Sequence, residues 1–450
     1  MSVRGKTLRG NFIHAPQASG VEALTDCLLA VDDSGRIAAI YPVDHEEREP
    51  AENAAREAGN LVEFGEADFL VPGLIDLHVH APQYPQLGLA LDEPLEVWLE
   101  KYTFPLETRY ADPEFARQCY SQLVDDLLRS GTTTAAYFGT VHQEATRILA
   151  DICIEKGQRA LVGKVAMDNP DSCPDDYRDQ SAEESVSGTR ALIDYIRGHP
   201  GNRENRVLPV VTPRFIPSCT DAALAGLGAL AAECGCHIQT HCSESDWAHA
   251  YVLDRHGMTD AASLDRFRLL GRKTILAHAT RLEEADWKRL CVRGSAIAHC
   301  PLSNAYFGDA VFPLRAALER GIHVGLGTDI SGGPTASVLE SARMAMAASR
   351  ILQSGADPDR APGARNRPNS AINFQTAFHL ATSAGGTALD LPIGRFEIGY
   401  RFDALRIDTA APDGTIRLFG TRDAVSVVQK IVHTASRPNI ADVWVDGVRV

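Results

Sequence analysis

Residues 69–80 have the sequence FLVPGLIDLHVH, an apolar run that ends in two histidines. A run rich in branched apolar residues predicts a buried β-strand of a parallel sheet. Alternate side chains of an extended strand point to the same face, so His78 and His80 converge on one point at the end of the strand. Two converging imidazoles indicate a site for a divalent metal ion.

Similar runs recur along the chain and alternate with amphipathic segments. Seven more strand candidates follow, at residues 132–140, 159–167, 207–215, 237–244, 274–280, 295–301 and 323–329. Helical patterns lie between them, at residues 114–129, 143–156, 222–234, 283–292 and 314–319. Several of these patterns stop at a glycine, which favours the left-handed conformation at a helix end. Repeated βα units predict the α/β class and a (β/α)₈ TIM-like barrel.

The two chain ends do not fit the barrel pattern. Further strand-like runs lie at residues 27–31, 36–41, 403–407 and 442–450. We expect both ends, residues 1–68 and 394–450, to combine into a small β-sandwich domain beside a metal-dependent catalytic barrel of residues 69–393. Two segments without apolar periodicity, 169–181 and 354–370, are predicted to be surface loops.

Charge and cysteine content limit the partners and the compartment. The chain has 450 residues, 44 of them basic and 59 acidic, for a net charge of −15. This balance disfavours broad binding to nucleic acid or to anionic membranes. The ten cysteines include no C-x-x-C pair, and the amino terminus has no apolar signal segment. We therefore expect a cytoplasmic protein with reduced cysteines, no nucleic-acid partner and no membrane span.

Titratable side chains gather at the ends of the predicted strands, where barrel enzymes carry their active sites. They are His78 and His80 on the first strand, His241 and Glu244 on the fifth, His278 on the sixth, His299 on the seventh and Asp329 on the eighth. Three imidazoles and a carboxylate suit zinc, with Fe²⁺ as the alternative, and leave one position for water. We predict one metal per chain, bound by His78, His80, His241 and Asp329. The fourth strand ends in VVTPRF, residues 210–215, and offers no lysine to bridge a second ion.

The remaining groups at these strand ends suggest acid–base chemistry. A bound metal activates water near neutral pH, and His278 and Asp329 are predicted to orient and deprotonate that water. Glu244 follows the fifth strand and is predicted to carry protons to the leaving group. The alternatives are that Glu244 caps the next helix and that His278 is satisfied by backbone groups. His299 has no assigned role.

These residues fall into motifs that resemble those of the amidohydrolase superfamily. The motifs are PGLIDLHVH (72–80), THCSE (240–244), AH (277–278), HCPLSN (299–304), GLGTD (325–329), GRFEIG (394–399) and VWVDG (443–447). They keep the family's order and span nearly the whole chain. The resemblance implies a hydrolase with a metal-bearing barrel, and it also implies a homodimer.

Three further motifs resemble the branch of that superfamily that deaminates guanine. They are HAPQY (80–84), WLEKYTFPLE (98–107) and TPRF (212–215). The resemblance implies a small-molecule purine substrate. Gln83 and Arg214 would bind its polar edge, and Phe215 would contact its ring. Glu244 would bind it from beside His80, His241 and Asp329. Residues 98–107 are interpreted as a lid, with ordinary helix packing as the alternative. A surface ion pair for Arg214 and core packing for Phe215 are the corresponding alternatives.

Two other functions compete with guanine deamination. One is a related aminohydrolase acting on another purine, a pterin or a triazine, because the metal ligands are shared more widely than the recognition residues. The other is a non-catalytic scaffold, which would not need the ligands that are present here. The small zinc deaminases combine H-x-E with P-C-x-x-C, and this signature is absent because the sequence has no P-C-x-x-C motif.

Overall fold

The computed structural model of the chain describes residues 2–308, 310–421 and 423–450. Its strands are β1 (Lys6–Gln17), β2 (Gly20–Val31), β3 (Ile37–Tyr41), β4 (Leu61–Glu63), β5 (Asp68–Pro72), β6 (Leu74–His80), β7 (Thr132–Phe138), β8 (Arg159–Gly163), β9 (Val165–Ala166), β10 (Val207–Pro213), β11 (His237–Cys242), β12 (Thr274–His278), β13 (Ala296–His299), β14 (His323–Leu326), β15 (Ala404–Asp408), β16 (Ile440–Val445) and β17 (Val448–Arg449).

The helices lie mostly between the strands of the central part of the chain. They are α1 (Arg48–Glu57), α2 (Leu95–Trp98), α3 (Phe104–Thr108), α4 (Pro113–Arg129), α5 (Gln143–Lys156), α6 (Ala182–Gly198), α7 (Asp221–Cys234), α8 (Asp246–His256), α9 (Asp260–Arg266), α10 (Glu284–Arg293), α11 (Pro301–Tyr306), α12 (Leu314–Glu319), α13 (Val338–Ser354), α14 (Pro362–Arg365), α15 (Phe374–Ala381), α16 (Ser383–Ala388) and α17 (Ala424–Thr434). Within the described residues, no helix has the length and apolar character needed to cross a bilayer.

Eight strands form the parallel barrel that the sequence predicts. They are hydrogen-bonded in the order β14-β13-β12-β11-β10-β8-β7-β6, and β9 pairs with β10. Two backbone contacts bring the first and last strands together: the Asp329 N–H donates to the His78 carbonyl at 2.9 Å, and the His80 N–H donates to the Ile330 carbonyl at 3.0 Å. The predicted (β/α)₈ fold is confirmed, and its closing contacts lie beside the histidine pair.

Local sequence explains where the barrel helices stop and start. Helices α5 and α7 end at Gly157 and Gly235, whose φ angles of 77° and 61° are left-handed, a conformation that glycine adopts at little cost. Helix α7 begins after Thr220, whose side chain accepts a hydrogen bond from the Ala223 N–H. These signals fix the helix ends within a residue or two of the predicted positions.

Both chain ends contribute strands to one further sheet, as predicted for the small β domain. Its order is β17-β16-β15-β5-β1-β2-β3, with β4 also paired to β1. Phe12, Phe396 and Trp444 belong to the same buried core of this sheet. The single strand predicted for residues 69–80 is wrong, because β5 pairs with β1 and β15 while β6 pairs with β7 in the barrel.

Candidate metal-dependent active site

Every residue predicted for the metal site lies at the same mouth of the barrel. His78 and His80 end β6, His241 lies near the end of β11, and His278 ends β12. Asp329 follows β14 after a short turn. All five side chains are buried, so the barrel collects them in a region that is largely shielded from water.

The four predicted ligands meet together with His278. The Nε2 atoms of His80 and His241 lie 2.9 Å apart, and the Nε2 atom of His78 lies 3.2 Å from Oδ1 of Asp329. Two overlapping groups have ligand atoms within 4.8 Å of one another, His78 with His241 and His278, and His78 with His80 and Asp329. Among the described residues, the buried Nε2 atoms of His78 and His278 have no hydrogen-bond partner. Close imidazoles and orphaned nitrogens fit a divalent cation.

Burial sets the protonation states of these groups. It lowers the pKa of His78 and places the pKa values of His80 and His241 well below 6.5. Burial would raise the pKa of Asp329, but the surrounding imidazoles outweigh it and hold that pKa well below 3.8. Neutral imidazoles and an ionised carboxylate are the forms that bind a metal.

Outer hydrogen bonds orient two of the rings. Nδ1 of His241 donates to the Arg214 carbonyl at 2.6 Å, which turns Nε2 towards the centre of the site. Nδ1 of His278 lies 2.9 Å from Oδ1 of Asn304, an acceptor, so that ring also presents Nε2 to the centre. The alternative of backbone satisfaction does not describe His278, because its partner is a side chain.

A buried carboxylate joins the backbones of the first and last barrel strands. Asp76 accepts hydrogen bonds from the His78 N–H at 3.2 Å and from the Thr328 N–H at 3.0 Å. Burial raises the pKa of Asp76 to about 7.

His278 and Asp329 themselves have left-handed φ angles of 68° and 52°. Non-glycine residues adopt such angles at a cost, and this kind of strain concentrates at functional sites.

Glu244 faces the same centre from the turn after β11. Its Oε1 atom lies 3.5 Å from Nε2 of His278, and burial raises its pKa above the ordinary value. The capping alternative does not hold, because Ser245 is the N-cap of α8 and accepts the hydrogen bond from the Ala248 N–H. Glu244 is therefore available for proton transfer.

The residues predicted to recognise a substrate share one pocket with three of the four predicted metal ligands. The pocket is lined by His80, Gln83, Leu95, Trp98, Leu99, Arg214, Phe215, His241, Glu244, Ser303, Phe307, Asp329 and Gly332. The ring of Phe215 lies 6.2 Å from that of His241. Arg214 is buried and pairs with Glu107 at 2.7 Å, so its ion pair is internal rather than on the surface.

The predicted lid covers one side of this pocket. The predicted residues, 98–107, lie within a helical segment of residues 95–108, here called the lid segment. It comprises α2, a π-helical turn at Leu99–Thr103 and α3. Leu95, Trp98 and Leu99 line the pocket, and the ring centroid of Trp98 lies 5.0 Å from that of Phe307. The lid segment thus packs as a helix and also forms a wall of the pocket.

The fold and this arrangement agree with a known family. Residues 69–450 match the Amidohydrolase family. The chain belongs to that family. Members of this family are typically metal-dependent. The cluster of histidine and aspartate side chains in this chain is consistent with that property.

Relatives of this amidohydrolase are alike over nearly its full length. A probable guanine deaminase of Schizosaccharomyces pombe is 38% identical over 449 residues, which cover 97% of this chain and 82% of that protein. Guanine deaminase of Mus musculus is 37% identical over 456 residues, with 98% and 96% covered. The solved structure of guanine deaminase from C. acetobutylicum, with guanine bound in its active site, has a TM-score of 0.87 at 30% identity and covers 99% of each chain.

Some residues of the amidohydrolase site were not singled out from the sequence. Glu107 and Asn304 stand inside quoted motifs, but their partners are distant in the chain and only the fold reveals them. Cys300 has its sulfur within 4.8 Å of ligand atoms of His278 and Asp329. His299 is in none of these clusters of ligand atoms, and the centroid of its ring lies 5.1 Å from that of Phe312. Burial lowers its pKa to about 3.

Proposed function

We propose that this chain is a guanine deaminase, which hydrolyses guanine to xanthine and ammonia. One observation carries the proposal: a single pocket is lined by His80, His241 and Asp329 of the ligand cluster, by Glu244, and by the donor residues Arg214 and Gln83. Guanine has acceptors at O6 and N7 and donors around C2, so one molecule can meet both sets. The relatives that match over nearly the full length carry the same name.

We assign the metal to His78, His80, His241 and Asp329, one ion per chain, with zinc as the metal and Fe²⁺ as the alternative. When bound there, the metal supplies a Lewis acid that lowers the pKa of water to about 7. The close imidazole nitrogens and the ionised carboxylate support this assignment. The orphaned nitrogen of His78 supports it as well.

The chain's own groups then move the protons. Asp329 accepts a proton from the attacking water, and Nε2 of His278, 3.7 Å from Oδ2 of Asp329, orients that water. As the C2–O bond forms, Glu244 delivers one proton to a ring nitrogen. As the C2–N bond breaks, Glu244 takes up the proton held by Asp329 and passes it to the amine, which leaves as ammonia. The proton of the C2 hydroxyl then restores the acid form of Glu244. Over one turnover, the two protons of the water are thus balanced by one on the ring and one on the product amine.

The remaining pocket residues hold the purine. We assign Gln83 and Arg214 to its polar edge and Phe215 to the face of its ring. Glu244 accepts from the N–H groups near C2, and His80, His241 and Asp329 surround the departing amino group. This placement puts C2 beside the cluster and the carbonyl edge beside the buried arginine.

Ammonia release from guanine by the purified, zinc-loaded protein tests this function. We expect Glu244→Gln to lower kcat by roughly 10²–10⁴-fold, because a proton carrier is lost, while the zinc content stays unchanged. Glu233→Gln is the matched control, because that glutamate forms an exposed pair with Arg190. A wild-type protein that releases no ammonia from guanine would refute the proposed function.

We further propose a cytoplasmic homodimer. All ten cysteines are described, and each is a free thiol, as a reducing compartment favours. The dimer follows from the resemblance to the superfamily. Light scattering of the purified protein measures the oligomeric state directly.

A further inference from the structure

Glu107 is a buried carboxylate that has no part in the proton transfers described above. It lies on α3, within the lid segment, and has 0% of its surface exposed. It accepts a hydrogen bond from Nε2 of Gln83 at 2.9 Å, and two from Arg214, at 2.7 Å from Nη1 and 3.2 Å from Nη2. Gln83 and Arg214 line the pocket, and Glu107 lies behind them. One carboxylate therefore holds both recognition residues.

The contacts of Gln83 fix the orientation of its amide. Oε1 accepts from the Ser331 backbone N–H at 3.1 Å, while Nε2 donates to Glu107. The reverse orientation would set the amide N–H groups against a backbone N–H and the oxygen against a carboxylate. Only the observed orientation satisfies both partners. It leaves the second N–H of Nε2 for a ligand in the pocket.

Arg214 presents the same kind of group. A guanidinium has five N–H donors and no acceptor. Glu107 uses two of the Arg214 donors in a fork-like pair, and the guanidinium also lies 5.2 Å from the ring of Phe104. These contacts hold the guanidinium plane. The remaining N–H groups of Arg214 and Gln83 make this end of the pocket a surface of donors.

We propose that Glu107 is a positioning residue that fixes this donor surface and thereby selects purines with a carbonyl at C6. A 6-oxo purine offers an acceptor to the donors, whereas a 6-amino purine sets donor against donor and leaves buried N–H groups unpaired. Such mismatches are costly in sites built to form hydrogen bonds. The inference rests on the proposed function for the placement of the C6 edge.

Direct binding of hypoxanthine and adenine to the zinc-loaded protein tests the inference. The two bases differ at C6 and lack the 2-amino group, so neither is a substrate for deamination at C2. We expect the wild type to bind hypoxanthine at least about tenfold more tightly than adenine. Equal binding of the two bases by the wild type would overturn the inference, whatever any variant does.

Glu107→Gln tests the positioning role itself. The new amide is uncharged and can donate as well as accept, so one of the two contacts that fix the Gln83 amide is weakened and the ion pair that holds the Arg214 guanidinium is lost. We expect the preference for hypoxanthine to fall to within about threefold, the KM for guanine to rise at least about tenfold, and kcat and zinc content to change much less. Glu107→Asp keeps the charge and should retain the preference. An unchanged preference in Glu107→Gln, or loss of its zinc, would contradict the role.

Asp179→Asn is the matched control. Asp179 forms a buried ion pair with Lys164 at 2.6 Å, with both side chains 3% exposed, and neither residue lines the pocket. This variant should lose stability and keep the wild-type preference for hypoxanthine. Guanine turnover separates the two proposals. If the protein does not deaminate guanine but still shows a preference for hypoxanthine that depends on Glu107, the proposed function is disproved and the inference about Glu107 is retained.

Discussion

Histidines at the strand ends differ in their surroundings, and those surroundings predict which of them hold the metal. His241 lies 2.9 Å from His80 and is oriented by a backbone carbonyl. We expect His241→Ala to leave less than about one tenth of the wild-type zinc. Guanine deamination should then fall by roughly 10³-fold or more, because the metal's contribution of several kcal/mol is lost. Metal analysis of the purified protein and an ammonia assay measure both effects.

His299 supplies the comparison for that experiment. It is as buried as His241, but it packs against Phe312 and belongs to none of the clusters of ligand atoms. His299→Ala should lower the unfolding temperature, because it leaves a cavity, and should keep the zinc. If both variants lost zinc equally, the loss would reflect damage to the barrel mouth, and the ligand assignment of His241 would lack support.

The sequence predicts the role of a side chain when that role follows from its neighbours in the chain, and it fails when the role depends on a distant partner. The role of His78 and His80 could be predicted, because strand geometry places both side chains on one face. The role of Glu107 could not, because its partner Arg214 is 107 residues away in the chain. Nothing in the local pattern of a helical glutamate distinguishes a solvated group from one that is fully buried in an ion pair.

At the scale of elements, the lid segment has one face towards the pocket and another towards solvent. Trp98 is 3% exposed and packs on Phe307, whereas the neighbouring Val97 is 36% exposed. We expect Trp98→Ala to raise the KM for guanine about tenfold, since roughly 1 kcal/mol of aromatic contact and part of the pocket wall are lost. Steady-state kinetics over a range of guanine concentrations provide the measurement.

Val97→Ala tests whether that effect belongs to the pocket face. It changes the same helix on its outer side, so the KM should stay within about twofold of the wild-type value. An equal rise in KM for both variants would indicate that the helix itself is disturbed, and the lid function of Trp98 would be excluded.

Residues 69–80 were predicted as one strand but form two, and the sequence pattern does not predict that division. Both halves are apolar and buried, so the run is continuous in composition. The break at Gly73 is a matter of tertiary packing: a Cβ atom there would lie 2.1 Å from Oγ1 of Thr133, on the neighbouring barrel strand. Periodicity reports burial, and it does not report which sheet a strand joins. The helix ends were more predictable, because their glycine signals are local.

At the scale of the whole molecule, buried ion pairs join the barrel to the sheet of the chain ends. Arg159 is the first residue of β8, at the end of the barrel opposite the active site. It donates to Asp403 at 2.8 and 3.1 Å and to Asp446 at 2.6 Å. The two aspartates flank β15 and β16, and each side chain is 1% exposed. This link ties the barrel to the sheet of the chain ends, although Arg159 is more than 240 residues away from both aspartates in the chain.

Arg159→Ala should therefore weaken the whole fold without altering the chemistry. Removal of Arg159 leaves the buried Asp403 without its ion-pair partner, whereas Asp446 keeps Arg206 and Arg401. We expect the free energy of unfolding to fall by about 3–5 kcal/mol.

Arg190→Ala removes an arginine from a pair with side chains 43% and 61% exposed, and should change the stability far less, because solvent screens exposed pairs. Denaturant unfolding compares the two, and guanine kinetics at 25 °C should show an unchanged KM for both. A loss below about 1 kcal/mol in Arg159→Ala would mean that this ion pair does not hold the barrel to the sheet of the chain ends.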